Sequence, residues 1–214
     1  MTRVSTGAEL RTTGDGSDGL VLCVNGGQAR ELEGTWSASV EWLVRRLAPR
    51  LPRLSFAELR YRVRSWRRLD ACVEDARAAL REVAGGRVLL LGFSMGGAVA
   101  ISVADAPSVR GVLGLAPWLP DELDVAPIAG KRLAVVHGAL DRALPGIPGV
   151  SPALSRRGLE RAHAAGAECT YTLVPGGVHG VALRAPWGGL VPLPRARRWA
   201  ELVEDELRRF GNGA

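Results

Sequence analysis

The chain has 214 residues, 47% of them hydrophobic and 23% charged, the balance of an ordinary water-soluble globular protein. A chain of that length buries a sizeable core in one domain, which excludes any need for disulfide or metal support. Lys and Arg outnumber Asp and Glu by 28 to 22, giving +6, but the excess is nearly all arginine and is spread along the chain. It reads as compositional bias rather than a nucleic-acid footprint.

In chain order, residues 1–19 are weakly patterned and predict at most one degenerate strand or hairpin. Within them, Gly14 to Gly19 match G-x-G-x-x-G in letter. A dinucleotide fingerprint must follow a strand and open a helix, and this one precedes a strand, so it reads as a polar turn. "LVLCVN" (20–25) is the first strong strand, followed by a helical pattern over 36–48 and a strand over 53–59. The next stretch, "LRYRVRSWRRLD", carries Arg60, Arg62, Arg64, Arg67 and Arg68, and is expected to be a solvated loop pairing with local acids. A helix over 69–84 follows, with Ala71, Val73, Ala76, Leu80 and Val83 at helical spacing. Strands are expected at 87–93, 111–116, 132–138 and 169–175, and helices at 95–105, 152–165 and 195–210. Most of the strands are continuously apolar, as in a sheet covered on both faces. The expectation is therefore an α/β domain spanning 1–214, with a mostly parallel sheet of about six or seven strands and helices on both sides.

Cys23, Cys72 and Cys169 have no metal-type spacing and read as buried free thiols in a reducing compartment. No apolar leader opens the chain, and no apolar run approaches the roughly 18 residues of a membrane span. The expected location is cytoplasmic. Phosphate-loop, H-E-x-x-H and paired-cysteine patterns are all missing from the sequence, so neither metal nor cofactor is expected.

The chemistry points to "VLLLGFSMGGAVAISVADA" (88–106), where a buried strand runs into Gly92-Phe93-Ser94-Met95-Gly96 and then a helix. This is G-x-S-x-G, the pattern of a nucleophile elbow. A strand that turns directly into a helix forces the turn residue into a strained conformation, and flanking glycines remove side chains that would clash. A serine hydroxyl needs a base, and the base an orienting acid. Of three histidines, His163 lies on a helix and reads as solvated. His179, in "VPGGVHG", falls just after a strand and His137, in "VVHGALD", at the end of one, where functional groups of a parallel sheet gather. His137 shares its loop with Asp141, which makes Asp141 the acid, His137 a turn residue and His179 the base, with His137 as the alternative base. Ser94, Asp141 and His179 then run in the nucleophile–acid–base order.

With "GFSMGG", "HGALD" and "GGVHG" in place, the sequence resembles a small, lidless α/β-hydrolase of the dienelactone-hydrolase and serine-esterase kind, over about 18–210. The resemblance implies the α/β-hydrolase fold without a cap domain, since 116–132 hold only a short connection. It maps the triad acid and base onto Asp141 and His179, with Asp121 or Asp124 as an alternative acid. It places the oxyanion donors at the N–H of Met95 and at that of Gly27 or Gln28, in "VNGGQAR". Ser94 stands where true dienelactone hydrolases have Cys, which leaves that substrate open.

Trp36, Trp66, Trp118 and Trp187 lie in connections that line the same edge as the triad if the sheet is parallel, and are candidates for an aromatic-walled substrate pocket. Trp42 and Trp199 read as packing residues. The expected partner is a small-molecule ester, with no nucleic acid and with the oligomeric state open. Rival readings are an acyltransferase or thioesterase on the same fold and a non-catalytic binding protein.

Overall fold

All six apolar runs read as strands are strands. The computed structural model describes residues 1–83, 85–142 and 149–213. Along the chain come β1 (Thr2–Arg3), β2 (Glu9–Thr13), β3 (Gly19–Val24), β4 (Leu32–Glu33), α1 (Ala38–Leu47), β5 (Leu54–Arg60), β6 (Val63–Arg64) and α2 (Leu69–Glu82). There follow β7 (Val88–Phe93), α3 (Gly96–Ser102), β8 (Val109–Leu115), β9 (Arg132–Gly138), α4 (Pro152–Ala164) and β10 (Glu168–Val174). A hairpin of β11 (Ala182–Arg184) and β12 (Leu190–Pro192) precedes α5 (Ala196–Gly211).

The central sheet has eight strands in the order β1-β2-β5-β3-β7-β8-β9-β10. Eight exceeds the expected six or seven by the β1–β2 hairpin, in the segment where the sequence offered one degenerate strand or hairpin. β2 pairs antiparallel with β5 through Glu9 to Thr13, and β1 pairs with β2. Val4, Ala8 and Leu10 are buried beneath them. From β5 onward every pairing is parallel.

Successive side chains of a strand point to opposite faces, and β3 displays both. Val21 and Cys23 pack with α1 and α5, whereas Leu22 and Val24 pack with α2 and α3. Helices on both faces explain why β3 and β7 are apolar throughout. α5 contributes a stripe of Trp199, Val203, Leu207 and Phe210, all buried, at helical spacing. Each such side chain adds about 1.5–3 kcal/mol relative to staying exposed. Ser37 caps α1 by accepting from Val40 N–H, and Ser151 caps α4 with Pro152 at its first position.

Parallel strands bring the ends of β3, β7, β8, β9 and β10 to one edge, and the residues that follow them converge there. The β8–β9 connection, 116–131, carries only the short 3-10 turn Ala126–Ile128, and no cap domain is formed among the described residues. The Gly14–Gly19 segment is the β2–β3 turn, with Gly14, Gly16 and Gly19 at positive φ.

Candidate active site

Ser94 joins β7 to α3 in a single step and sits at φ 54°, in the left-handed region that non-glycine residues rarely occupy. The surroundings hold it there. Its N–H donates to Leu115 O at 3.0 Å, and its carbonyl accepts from Gly97 N–H at 2.9 Å and Trp118 N–H at 2.8 Å. The close approach of strand and helix requires Gly92, where a Cβ would run into the Gly96 carbonyl and lie 2.8 Å from Gly97 N.

Ser94 Oγ lies 3.1 Å from His179 Nε2, and His179 Nδ1 lies 2.7 Å from Asp141 Oδ2. A carboxylate only accepts hydrogen bonds, so Nδ1 carries the proton and Nε2 presents its lone pair to Ser94. The three residues arrive from β7, β9 and β10, separated by up to 85 positions in sequence. The loops are tied to each other: Leu140 N–H donates to Gly177 O at 2.8 Å, and Ala139 N–H to Val174 O at 3.0 Å. His179 also lies against Phe93, with ring centroids 5.2 Å apart.

Asp141 is 3% exposed. Burial alone would push its pKa up, but hydrogen bonds and charge from His137 and His179 outweigh that and hold it below its ordinary value. Oδ1 accepts from Val150 N–H at 3.1 Å. Asp121 and Asp124, the alternative acids, lie elsewhere: Asp121 pairs with Arg157, and Asp124 caps the Ala126 N–H.

His137 corrects the sequence reading. It is no turn residue but the penultimate residue of β9, fully buried, with Nε2 2.9 Å from the same Asp141 Oδ2. The four-residue spacing of His137 and Asp141 is the sequence signal for this pair. His163 is exposed on α4, as expected.

Beside Ser94 a cleft of about 660 Å³ opens, lined by Gly26, Gly27, Met95, Trp36, Trp66 and Trp118, with Phe93, Leu183, Arg64, Arg184 and His179 among the others. The Gly26–Gly27 turn rests against the elbow; a Cβ on Gly27 would meet the Met95 side chain. Among the described residues, the N–H groups of Gly27, Gln28 and Met95 have no backbone acceptor. Gln28 does not line the cleft, and its side chain turns away to donate to Arg30 O at 3.3 Å. Of the two alternatives for the second donor, only Gly27 reaches the cleft.

Three of the four candidate tryptophans line the cleft, and Trp187 does not. It is 81% exposed at the tip of the β11–β12 hairpin, because 182–192 fold back on themselves instead of crossing the edge. Trp199 is core, and Trp42 packs partly buried against it. Arg11 stacks on Trp36 at 4.5 Å, and Glu41 bridges Arg11 and Arg184 at 2.9 and 2.6 Å, so one wall of the cleft is fixed electrostatically.

The arginine-rich stretch is not the expected solvated loop: Arg60 ends β5, Arg64 lies in β6, Arg67 and Arg68 fall in a 3-10 turn, and Tyr61 and Ser65 are buried; its arginines do pair largely with local acids. Arg60 meets Glu9 and Glu33, Arg62 meets Asp75 and Glu74, and Arg68 meets Glu31 and Asp70. Arg64 departs from that pattern. It lines the cleft with a buried Nε that has no partner among the described residues. No group of His, Cys, Asp and Glu suited to a metal occurs among the described residues, and no helix there is long and apolar enough to cross a membrane.

Residues 21–210 match the profile of the alpha/beta hydrolase family, and the chain belongs to that family. Solved structures share the fold at low identity. A monoacylglycerol lipase from Paleococcus ferrophilus superposes with a TM-score of 0.68 at 14% identity, over 95% of this chain and 99% of that one. An alpha-beta serine hydrolase homologue from Coxiella burnetii gives 0.68 at 19%, over 94% and 91%. An esterase from Exiguobacterium antarcticum gives 0.68 at 11%, over 96% and 98%. No curated protein sequence matches the chain.

Proposed function

We propose that the protein is a serine hydrolase that cleaves carboxylic esters. The observation that carries this reading is the continuous line from Ser94 Oγ through His179 to Asp141, with spacings of 3.1 and 2.7 Å, opening on an aromatic-walled cleft.

His179 Nε2 takes the Ser94 proton as Oγ attacks the ester carbonyl. The carbonyl oxygen becomes an oxyanion, held by the N–H groups of Met95 and Gly27. His179 returns the proton to the departing alkoxide, which leaves as the alcohol and makes an acyl-Ser94 ester. Water then gives a proton to Nε2, attacks the acyl carbon and releases the acid, restoring the Ser94 hydroxyl. Throughout, Asp141 keeps the Nδ1 proton in place and balances the charge on the imidazolium. The chemistry needs no cofactor.

Trp36, Trp66, Trp118 and Phe93 give the cleft flat apolar walls suited to an acyl chain or an aromatic group. An acyl-length series of chromogenic esters tests the reading. An optimum at one length that disappears in Ser94→Ala is expected, and a Ser94→Ala variant with full activity contradicts it.

A further inference from the structure

Asp141 carries two imidazoles on one oxygen. Oδ2 is 2.7 Å from His179 Nδ1 and 2.9 Å from His137 Nε2. Beyond His137 the line continues: its Nδ1 is 2.8 Å from Ser155 Oγ on α4, and Ser155 Oγ is 2.9 Å from the Tyr171 hydroxyl on β10. A second hydroxyl–imidazole–carboxylate series thus mirrors the first across a shared carboxylate oxygen.

The second series is not another reaction centre. His137 and Ser155 are both 0% exposed, and neither lines the cleft, so no carbonyl reaches Ser155. We propose that this buried Ser155–His137 pair positions Asp141, pinning its carboxylate where it also meets His179. The proposal rests on the roles given above to Ser94, His179 and Asp141.

Proton placement follows from the partners. His137 Nε2 faces two acceptors, Asp141 Oδ2 and Val150 O, each at 2.9 Å, so it must bear hydrogen. In the neutral ring Nδ1 is then an acceptor, filled by the Ser155 hydroxyl, so the bonds from Ser155 through His137 run towards Asp141 and polarise one another. Pro152 O, 3.1 Å from Ser155 Oγ and 3.0 Å from the Tyr171 hydroxyl, holds the two hydroxyls together. Burial pushes the Tyr171 phenol above its ordinary pKa, despite the Ser155 bond and nearby Arg156, which keeps it a donor. Arg156 lies over the Tyr171 ring at 4.5 Å, and Tyr171 stacks along His137 with centroids 6.3 Å apart.

Besides His179, two groups hold the carboxylate: Val150 N–H on Oδ1 and His137 on Oδ2. Without His137, His179 itself is the donor left on Oδ2, so the 2.7 Å pair is free to shift together relative to Ser94. A loss of position at the orienting acid lowers turnover more than it changes substrate binding; the link to the cleft is Val150, whose carbonyl accepts from His137 Nε2.

The experiment compares His137→Leu, His137→Gln and Ser155→Ala with the parent protein on a short-chain chromogenic ester. Near-UV circular dichroism checks packing, and proton NMR follows the downfield resonance of His179 Nδ1–H. His137→Leu is expected to lower kcat by about 10-fold or more, on the scale of losing a partner that orients a metal ligand, and to change KM less than kcat. Gln places an amide N–H near the position of Nε2 and should recover most of the loss. Ser155→Ala, which removes one oxygen only, should lower kcat severalfold and shift the resonance. An unchanged kcat in folded His137→Leu, or an unchanged kcat and resonance in Ser155→Ala should the leucine variant not fold, overturns the proposal. The resonance is read without turnover. An active Ser94→Ala protein would therefore sink the esterase mechanism, while the NMR comparison would still report whether His137 positions Asp141.

Discussion

Asp141 Oδ2 and His179 Nδ1 lie 2.7 Å apart, and that contact decides which His179 nitrogen faces Ser94. Replacing the carboxylate with an amide lets His179 adopt the other tautomer, with Nε2–H towards Ser94 and no lone pair to take the proton. Asp141→Asn should lower kcat on a short-chain ester by about 10³- to 10⁴-fold, on the pattern of serine-hydrolase triads. Steady-state kinetics on the purified variant check this, and a loss under tenfold contradicts the role given to Asp141.

Gly27 tests the oxyanion donors. A Cβ there would be 2.9 Å from Met95 Cε and closer still to its sulfur, so the buried Met95 side chain must shift beside the donors. Gly27→Ala should lower kcat, by up to the roughly 100-fold scale of losing one donor. Gly85→Ala, where a Cβ meets nothing within 4 Å, serves as the control and should match the parent.

Arg64 should make the cleft prefer anionic esters. Its Nε lacks a partner among the described residues, and no Asp or Glu is among the cleft-lining residues. A hydrogen bond to a charged group is worth about 1.5–3 kcal/mol. Arg64→Gln should therefore cut kcat/KM for a carboxylate-bearing ester about tenfold or more while sparing its neutral counterpart. Equal effects on the two esters would remove Arg64 from substrate recognition.

Acid should destabilise the protein from below pH about 4. Burial would raise the pKa of Asp141, yet its two histidine partners hold it below the ordinary value. At Glu41 burial likewise opposes, and Arg11 and Arg184 win, again lowering the pKa. A depressed carboxylate contributes stability that is complete above its unfolded pKa and is lost as pH falls through the folded one. Thermal unfolding followed from pH 7 to 3 should show Tm dropping at the acid end, less steeply in Glu41→Gln. Identical acid limbs for the two proteins would contradict the assignment.

The three thiols should be slow to react. Burial pushes Cys23 well above its ordinary pKa, Cys72 up to about 11, and Cys169 upwards as well. An aromatic disulfide reagent at pH 8 should titrate almost no thiol in the native protein and three after denaturation. Fast native labelling of Cys72 would show that the region around the β5–α2 connection opens readily.

The parallel core and its Ser94, Asp141 and His179 positions were legible because each rests on local pattern: an apolar run, then a turn carrying a chemically distinctive residue. What escaped depended on distant pairing. β2 reads "ELRTT" and has little apolar character; its strand state comes from the backbone ladder with β5, some 47 residues away. His137 looked like a turn residue because its partners, Ser155 and Tyr171, lie 18 and 34 positions along the chain and meet it only when α4 and β10 pack beside β9. Trp187 resembled the other connection tryptophans, and only the β11–β12 pairing sends it outward. Arg64 differs from its arginine neighbours solely through where the short β6 strand sets it down.

In the proposed reaction Ser94 is the nucleophile. Mass spectrometry of the protein treated with a fluorophosphonate ester measures that directly. One adduct per chain is expected, on the peptide containing Ser94, with esterase activity lost in step with labelling and no adduct in Ser94→Ala. A protein that remains unlabelled while hydrolysing esters, or an adduct on another residue, would contradict it.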